Sequence, residues 1–200
     1  FRGLFSPPAW QADIYGYVRR NSHAEFSWPG PAGNMLSPED AMQESYEGLR
    51  SGTLGTWQIP FGAGTIARVD ADPVDLPPSG SFSVIRATAT TTSLVAVCGL
   101  TPLGAPIYPA TAGEVYSSVG HVLAEDTARD VEWGLQFFED DGTFISTLYG
   151  TPGDTTLDAW VSGSSGGLTA PALTAWVAPV ARFATTVSGE HFRLSAVGLY

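Results

Sequence analysis

The sequence predicts an all-β fold: a two-sheet antiparallel β-sandwich of jelly-roll type, preceded by an extended N-terminal arm. Three observations carry this expectation. From Thr53 onward, apolar residues recur at every second position in short runs, the signature of strands with one buried face. Gly and Pro number 23 and 15 in 200 residues, while charged residues make up only 14%, a mix that suits many short strands joined by turns. No strand-helix alternation is visible, which removes the doubly wound and α/β-barrel classes.

Taken in chain order, residues 1–33 come first. They are dense in aromatics, Pro and Gly, and their apolar side chains are too scattered to build a core. Trp10, Tyr15, Tyr17, Phe26 and Trp28 are nonetheless costly to leave in water. The expectation is an arm packed on its own domain or on a neighbouring subunit, with the sandwich occupying residues 34–200. Residues 38–50 form the best helical candidate. Ser37 serves as N-cap, Pro38 suits the first helical position, Glu39 and Asp40 suit the positive end of the dipole, and Gly48 stops the run.

Ten strands are then expected, at 55–59, 65–69, 81–88, 93–99, 113–124, 131–139, 144–149, 157–161, 175–186 and 190–199. Turn-forming stretches such as DPVDLPPSG, TPLGAP, TPGD and SGSSGG separate them. The clearest pair is VEWGLQFFEDDGTFISTLYG at 131–150. Val131, Trp133, Leu135 and Phe137 alternate with Glu132, Gly134, Gln136 and Phe138. Asp141-Gly142 then supplies the positive φ that a hairpin turn requires.

The bulk numbers bound the function. A net charge of −11 disfavours nucleic acid and anionic lipid as partners. No run approaches the ~20 apolar residues of a membrane-spanning helix. Cys98 is the only cysteine, so no internal disulfide forms; its apolar flanks imply a buried, inert thiol. No signal peptide is visible, and a chain opening on Phe1 reads as processed or as part of a longer product.

Catalytic chemistry has no clear foothold. His23, His121 and His191 stand at no metal-ligand spacing, and His121, inside an alternating run, reads as a hydrogen-bonded sheet histidine. The acid groups Glu39/Asp40, Asp70/Asp72, Glu125/Asp126 and Glu139/Asp140/Asp141 sit side by side in turns, not across a cleft. No catalytic residues are therefore assigned, and the chain reads as a non-enzyme. The alternate face of 131–138, bearing Glu132, Gln136 and Phe138, suits a glycan platform and equally a covered subunit contact. With Trp57, Trp160 and Trp176 these form the candidate ligand-binding set, because an aromatic face stacks on the apolar face of a pyranose.

The order of motifs resembles the family 4/9 type of carbohydrate-binding module. NMLSPEDAMQESYEG at 34–48 is similar to that family's opening, with Ser45-Tyr46-Glu47-Gly48 and Trp57 in its Ser-Phe-Glu-x-Gly and Trp places. EVYSSVGHVLA at 114–124 resembles its Tyr-containing strand, and VEWGLQFFEDDG resembles its aliphatic-x-Phe-Tyr-Asp-x-x-Gly hairpin. Trp160 with Leu168-Thr169-Ala170-Pro171-Ala172, and 188–199, resemble the later steps.

The resemblance implies a jelly roll that binds polysaccharide. It also implies a structural calcium held by the motif's Glu, here Glu47, and a closing acid pair. The matching positions here are Ser195-Ala196-Val197, so no cofactor is assigned and Glu47 stays the one metal candidate. Such modules also occur in minor tail and tail-tip proteins of phages of high-GC Gram-positive bacteria, and nine Arg with no Lys fit a GC-rich coding sequence. The resulting expectation is a virion component that assembles with other virion subunits through residues 1–33 and meets a host-surface polysaccharide. Its alternatives are a purely structural capsid or tail decoration protein, and an extracellular module of a secreted bacterial glycoside hydrolase.

Overall fold

A computed structural model describes residues 35–36, 56–60, 64–70, 77–78, 83–101 and 103–200. The arm at 1–33, the helix at 38–50 and Glu47 lie outside the described residues. Among those described there are thirteen strands and no α-helix: β1 (Gly64–Asp70), β2 (Ser83–Ala89), β3 (Ser93–Val97), β4 (Tyr108–Pro109), β5 (Val115–Tyr116), β6 (Ser118–Ala124), β7 (Asp130–Phe138), β8 (Phe144–Tyr149), β9 (Gly153–Asp154), β10 (Val161–Ser164), β11 (Leu168–Thr169), β12 (Trp176–Ala184) and β13 (His191–Leu199).

These strands form two principal sheets. The back sheet has the order β1-β2-β13-β6-β10. The front sheet has the order β3-β12-β7-β8, with β4 on β12 and β9 on β7. A short β11-β5 pair stands apart, and every strand pairing is antiparallel. The all-β, two-layer expectation holds, since alternation in each long strand leaves one apolar row that only a facing sheet can bury.

The core lies between the layers. Ile85, Ala87, Val122, Phe192 and Leu194 come from the back sheet, and Leu94, Val131, Trp133, Leu135, Phe137, Val177 and Phe183 from the front. Phe183 and Phe192 stack across the gap with centroids 4.2 Å apart, so a ring from each sheet pins the two together. Such a pair contributes about 0.5–1.5 kcal/mol beyond the area it buries. Trp133 and Cys98 are both interior, as expected.

Several elements differ from the sequence expectation. The run at 113–124 divides into β5 and β6, because at Ser117 the chain changes partner. Ser117 exchanges backbone hydrogen bonds with Tyr200, while β5 turns to β11 and β6 to β13. The strand expected at 157–161 begins at its last residue, Val161, and Leu157 makes only a bridge to Ala124. Of the strand expected at 55–59, the described residues 56–59 show a bridge between Gln58 and Val97.

Pro179 sits inside a central strand, where a missing N–H is normally costly. It is tolerated because β12 changes neighbour there, passing from β4 at Trp176–Val177 to β3 at Val180–Ala184. Its carbonyl still accepts from the Cys98 N–H at 3.0 Å. His121 lies in β6 but is not the hydrogen-bonded sheet histidine expected, for its Nδ1 is buried without a partner.

Candidate ligand-binding face

The alternation of β7 decides where the polar half of the sequence pattern goes. With Val131, Trp133, Leu135 and Phe137 in the core, Glu132, Gly134, Gln136 and Phe138 point to the outer side of the front sheet. Register then sets their neighbours. On β12, Trp176 stands opposite Phe138, Ala178 opposite Gln136, Val180 opposite Gly134 and Arg182 opposite Glu132. On β8, Thr147 stands opposite Gln136 and Tyr149 opposite Gly134, with a register shift before Phe144 meets Phe138.

This outer face carries its own apolar floor: Val97, Leu100, Phe138, Ala178 and Val180, with Val95, Tyr149 and Trp176 packed against it. Two partly exposed aromatics mark its ends. At the hairpin end, Trp176 Nε1 donates to the Asp140 carbonyl at 3.2 Å, which fixes the indole against the turn. Phe144, 53% exposed, meets Phe138 edge to face at 5.9 Å.

At the other end Tyr149 lies close over β7. A Cβ on Gly134 would come within 2.7 Å of its ring, so only glycine allows that approach. The Arg182 guanidinium sits 4.1 Å from the Tyr149 ring centroid and is paired with Glu132. Burial pushes the Tyr149 phenol above its ordinary range; Arg182 opposes that rise and Glu132 adds to it. The phenol therefore stays protonated at neutral pH, able to donate or accept. Phe144 and Tyr149 stand opposite Phe138 and Gly134, four residues apart on β7, which by strand rise is about 13 Å.

Gln136 occupies the middle. It is only 7% exposed, and its side-chain amide makes no hydrogen bond among the described residues. Its amide is not among the buried atoms sealed off without a partner, so it reaches the surface of this face, where a ligand hydroxyl can pair with it. Glu132 is held by Arg182 and has no second free carboxylate opposite it among the described residues of this face. That arrangement supplies hydrogen bonding and stacking.

Of the residues singled out in the sequence, the fold brings Glu132, Gln136, Phe138 and Trp176 onto this one face. Phe138, 5% exposed, serves as floor and presents little of its ring. Trp57 is elsewhere: at 2% exposure it belongs to the core between the sheets. Trp160 precedes β10 in the back sheet. Sequence reasoning missed Tyr149, Thr147, Arg182 and Phe144. The first two follow from the hairpin register once β7 and β8 are paired, whereas Arg182 depends on β12, fifty residues from Glu132.

Among the described residues, no group of three His, Cys, Asp or Glu stands together as a metal site. The residues at the resemblance's closing acid pair do not fit a calcium. Ser195 is fully buried and Ala196 carries no side-chain oxygen.

The fold is similar to that of several solved structures. A xylan-binding domain of carbohydrate-binding module family 22 matches with a TM-score of 0.59 at 13% identity, covering 84% of this chain and 96% of that domain. The enzymatically active domain of bacteriophage CBA120 tailspike protein 4 matches with a TM-score of 0.54 at 8% identity, over 83% of this chain. A Clostridium thermocellum xylanase comprising a family 22 module and its catalytic module, solved with xylohexaose, matches with a TM-score of 0.54 at 13% identity over 72% of this chain. The chain spans 21% of the tailspike chain and 26% of the xylanase chain. At these identities the likeness is one of fold, and the chain has the β-sandwich architecture of these binding modules. No protein-family model and no curated protein matches the chain.

Proposed function

We propose that the chain is a non-catalytic glycan-binding module whose outer front face takes a short stretch of polysaccharide. The observation that carries this reading is the register that sets the Gln136 amide on an apolar floor between the Trp176 and Tyr149 rings. Rings at the two ends stack on the apolar faces of pyranoses, and the amide between them pairs with hydroxyls. The span between the ends suits an oligosaccharide more than a single ring. The shared fold with a xylan-binding domain supports the ligand class.

The biological setting we propose is a virion surface: a minor tail or tail-tip component that attaches to host-surface polysaccharide, oligomeric within the particle and joined to other subunits through residues 1–33. The tailspike likeness and the lysine-free composition support that setting.

The test is retention on an array of xylans, β-glucans and bacterial cell-wall polysaccharides. Wild type should be retained by at least one polymer, and Tyr149→Ala and Trp176→Ala should lose that retention at temperatures well below their own melting transitions. If wild type holds no polymer, the apolar face is better read as a contact with a neighbouring subunit. Turnover of a polymer, abolished by Glu132→Gln, would instead support an enzyme.

A further inference from the structure

The back sheet carries a second recess, on the side of the molecule away from the face described above. It is a shallow groove of about 380 Å³, lined by Val119, Gly120 and His121 of β6, Ser162, Gly163 and Ser164 of β10, and Ala196 of β13. Its volume falls near the small end of ligand sites, which run from about 300 to 1,000 Å³.

The recess follows from local chain geometry. Ser162 stands directly opposite His121 across the β10–β6 ladder, and Ser164 opposite Val119. On the other side β13 bulges. Ser195 pairs with His121 and Gly198 with Val119, so Ala196 and Val197 together oppose Gly120. Ala196 takes a φ of 50°, a left-handed conformation that a non-glycine residue holds only at some cost. Bulges of this kind bend a strand away from its partner and re-aim side chains. Here the bulge forms one wall, and the side-chain-free backbone of Gly120 and Gly163 forms the floor.

The polar groups of the groove are unusually idle. His121 makes no side-chain hydrogen bond among the described residues; Nδ1 is sealed off, which leaves the Nε2 edge of the ring to meet a ligand. The Ser162 hydroxyl is exposed and makes none either, whereas Ser164 Oγ accepts from the Gly166 N–H at 3.0 Å. No charged side chain lines the groove among the described residues. Burial lowers the His121 pKa from its ordinary value, so the ring is neutral at physiological pH. With Nδ1 sealed, the proton belongs on Nε2, where it can be donated.

We infer that this groove is a second binding site, for a single neutral, hydroxyl-bearing ring such as one sugar unit. Such a ligand supplies an acceptor for the imidazole N–H and both roles for Ser162. Its hydroxyls need no counter-charge, and none is present. The site stands on the back sheet and does not depend on what the front face binds.

The experiment is an NMR titration of the labelled full chain with xylose, glucose, galactose and N-acetylglucosamine, with inorganic phosphate as a separate arm. At least one sugar should shift the His121 ring signals and the Ser162 and Ser164 amides, and do so equally in Trp176→Ala. Ser162→Ala, at an exposed position that leaves the fold intact, should weaken that response about tenfold, as loss of one hydrogen bond would. Silence at His121 and Ser162 with every sugar overturns the proposal. So does a response confined to Gln136 and Tyr149, which would leave the front face as the sole site. Phosphate binding more tightly than any sugar overturns the assignment of a neutral ligand.

Discussion

The indole of Trp133 fills the space that a side chain at Gly120 would need. A Cβ there would stand 2.2 Å from Trp133 Cη2, and one at Gly163 would stand 2.3 Å from its Nε1. Two glycines on neighbouring strands of the back sheet thus form the slot into which the largest front-sheet core residue inserts. Trp133 Nε1 pays for that fit by lacking a partner. Gly120→Ala should therefore overpack the core and lower stability by about 2 kcal/mol, with the melting temperature falling by roughly 4–8 °C. Calorimetry checks this, and an unchanged melt would mean that the two sheets can part without cost.

Arg182 stands over Tyr149 and holds Glu132, so the pair should show strong coupling. Arg182→Met keeps an apolar stem on the ring but leaves Glu132, largely buried, without its cation. A loss of about 1–3 kcal/mol is expected in urea unfolding, with much of it recovered when Glu132→Gln is added. Simple additivity of the two changes would show that the pair has no coupling energy, as exposed ion pairs often have little; Arg182 is 38% exposed.

Acid should weaken the fold through Glu190. Arg129 grips its carboxylate at 2.5 and 3.1 Å, and the Val187 N–H donates to it at 2.9 Å. The Arg129 hydrogen bonds hold its pKa below the ordinary carboxylate value; burial opposes this and the Val187 N–H assists. A depressed folded pKa contributes stability that is fully present above the unfolded value, about 4.3, and is lost as pH falls through the folded value. His191 likewise depresses Asp126. Glu190→Gln should thus be destabilising near pH 7, and its deficit against wild type should shrink as pH drops below about 4. Denaturant titrations at both pH values would detect a deficit that stayed constant, contrary to this linkage.

The layers, the hairpin and the split of β7 into two rows were legible from residue alternation, because Val131 to Phe137 alternate large apolar residues with Glu132, Gly134 and Gln136; the burial of the second row from Gly134 to Phe138 was not. What alternation does not report is which strand lies alongside. Trp57 joins the candidate binding set as an aromatic within the strand expected at 55–59, whose faces the sequence leaves undecided, yet Gln58 bridges Val97 and Trp57 turns inward. Phe138 has the right polarity of neighbours for a platform, but Trp176 and Phe144 close over it through β12 and β8. Arg182 gains its role only when non-local pairing sets it beside Glu132. The bulge at Ser195–Gly198 has no local sign beyond a run of small residues, because it is imposed by the mismatch with β6.

The hairpin tip links a turn residue to the front face, and this gives the last prediction. Gly142 takes a φ of 84°; its N–H donates to the Glu139 carbonyl at 3.0 Å, while Asp141 Oδ1 accepts from Thr143 at 2.8 Å. A Cβ at Gly142 meets only Pro106, at 3.6 Å, so space is not the obstacle. Backbone conformation is, and Ala there should cost about 1 kcal/mol, with Asn costing less because it tolerates the left-handed region better. The same turn supplies the Asp140 carbonyl that anchors Trp176. Gly142→Ala should consequently weaken polysaccharide retention more than Gly142→Asn does, in the same order as their melting temperatures. Equal retention despite different melts would mean that Trp176 is positioned by Phe138 and Pro109 and not by the turn.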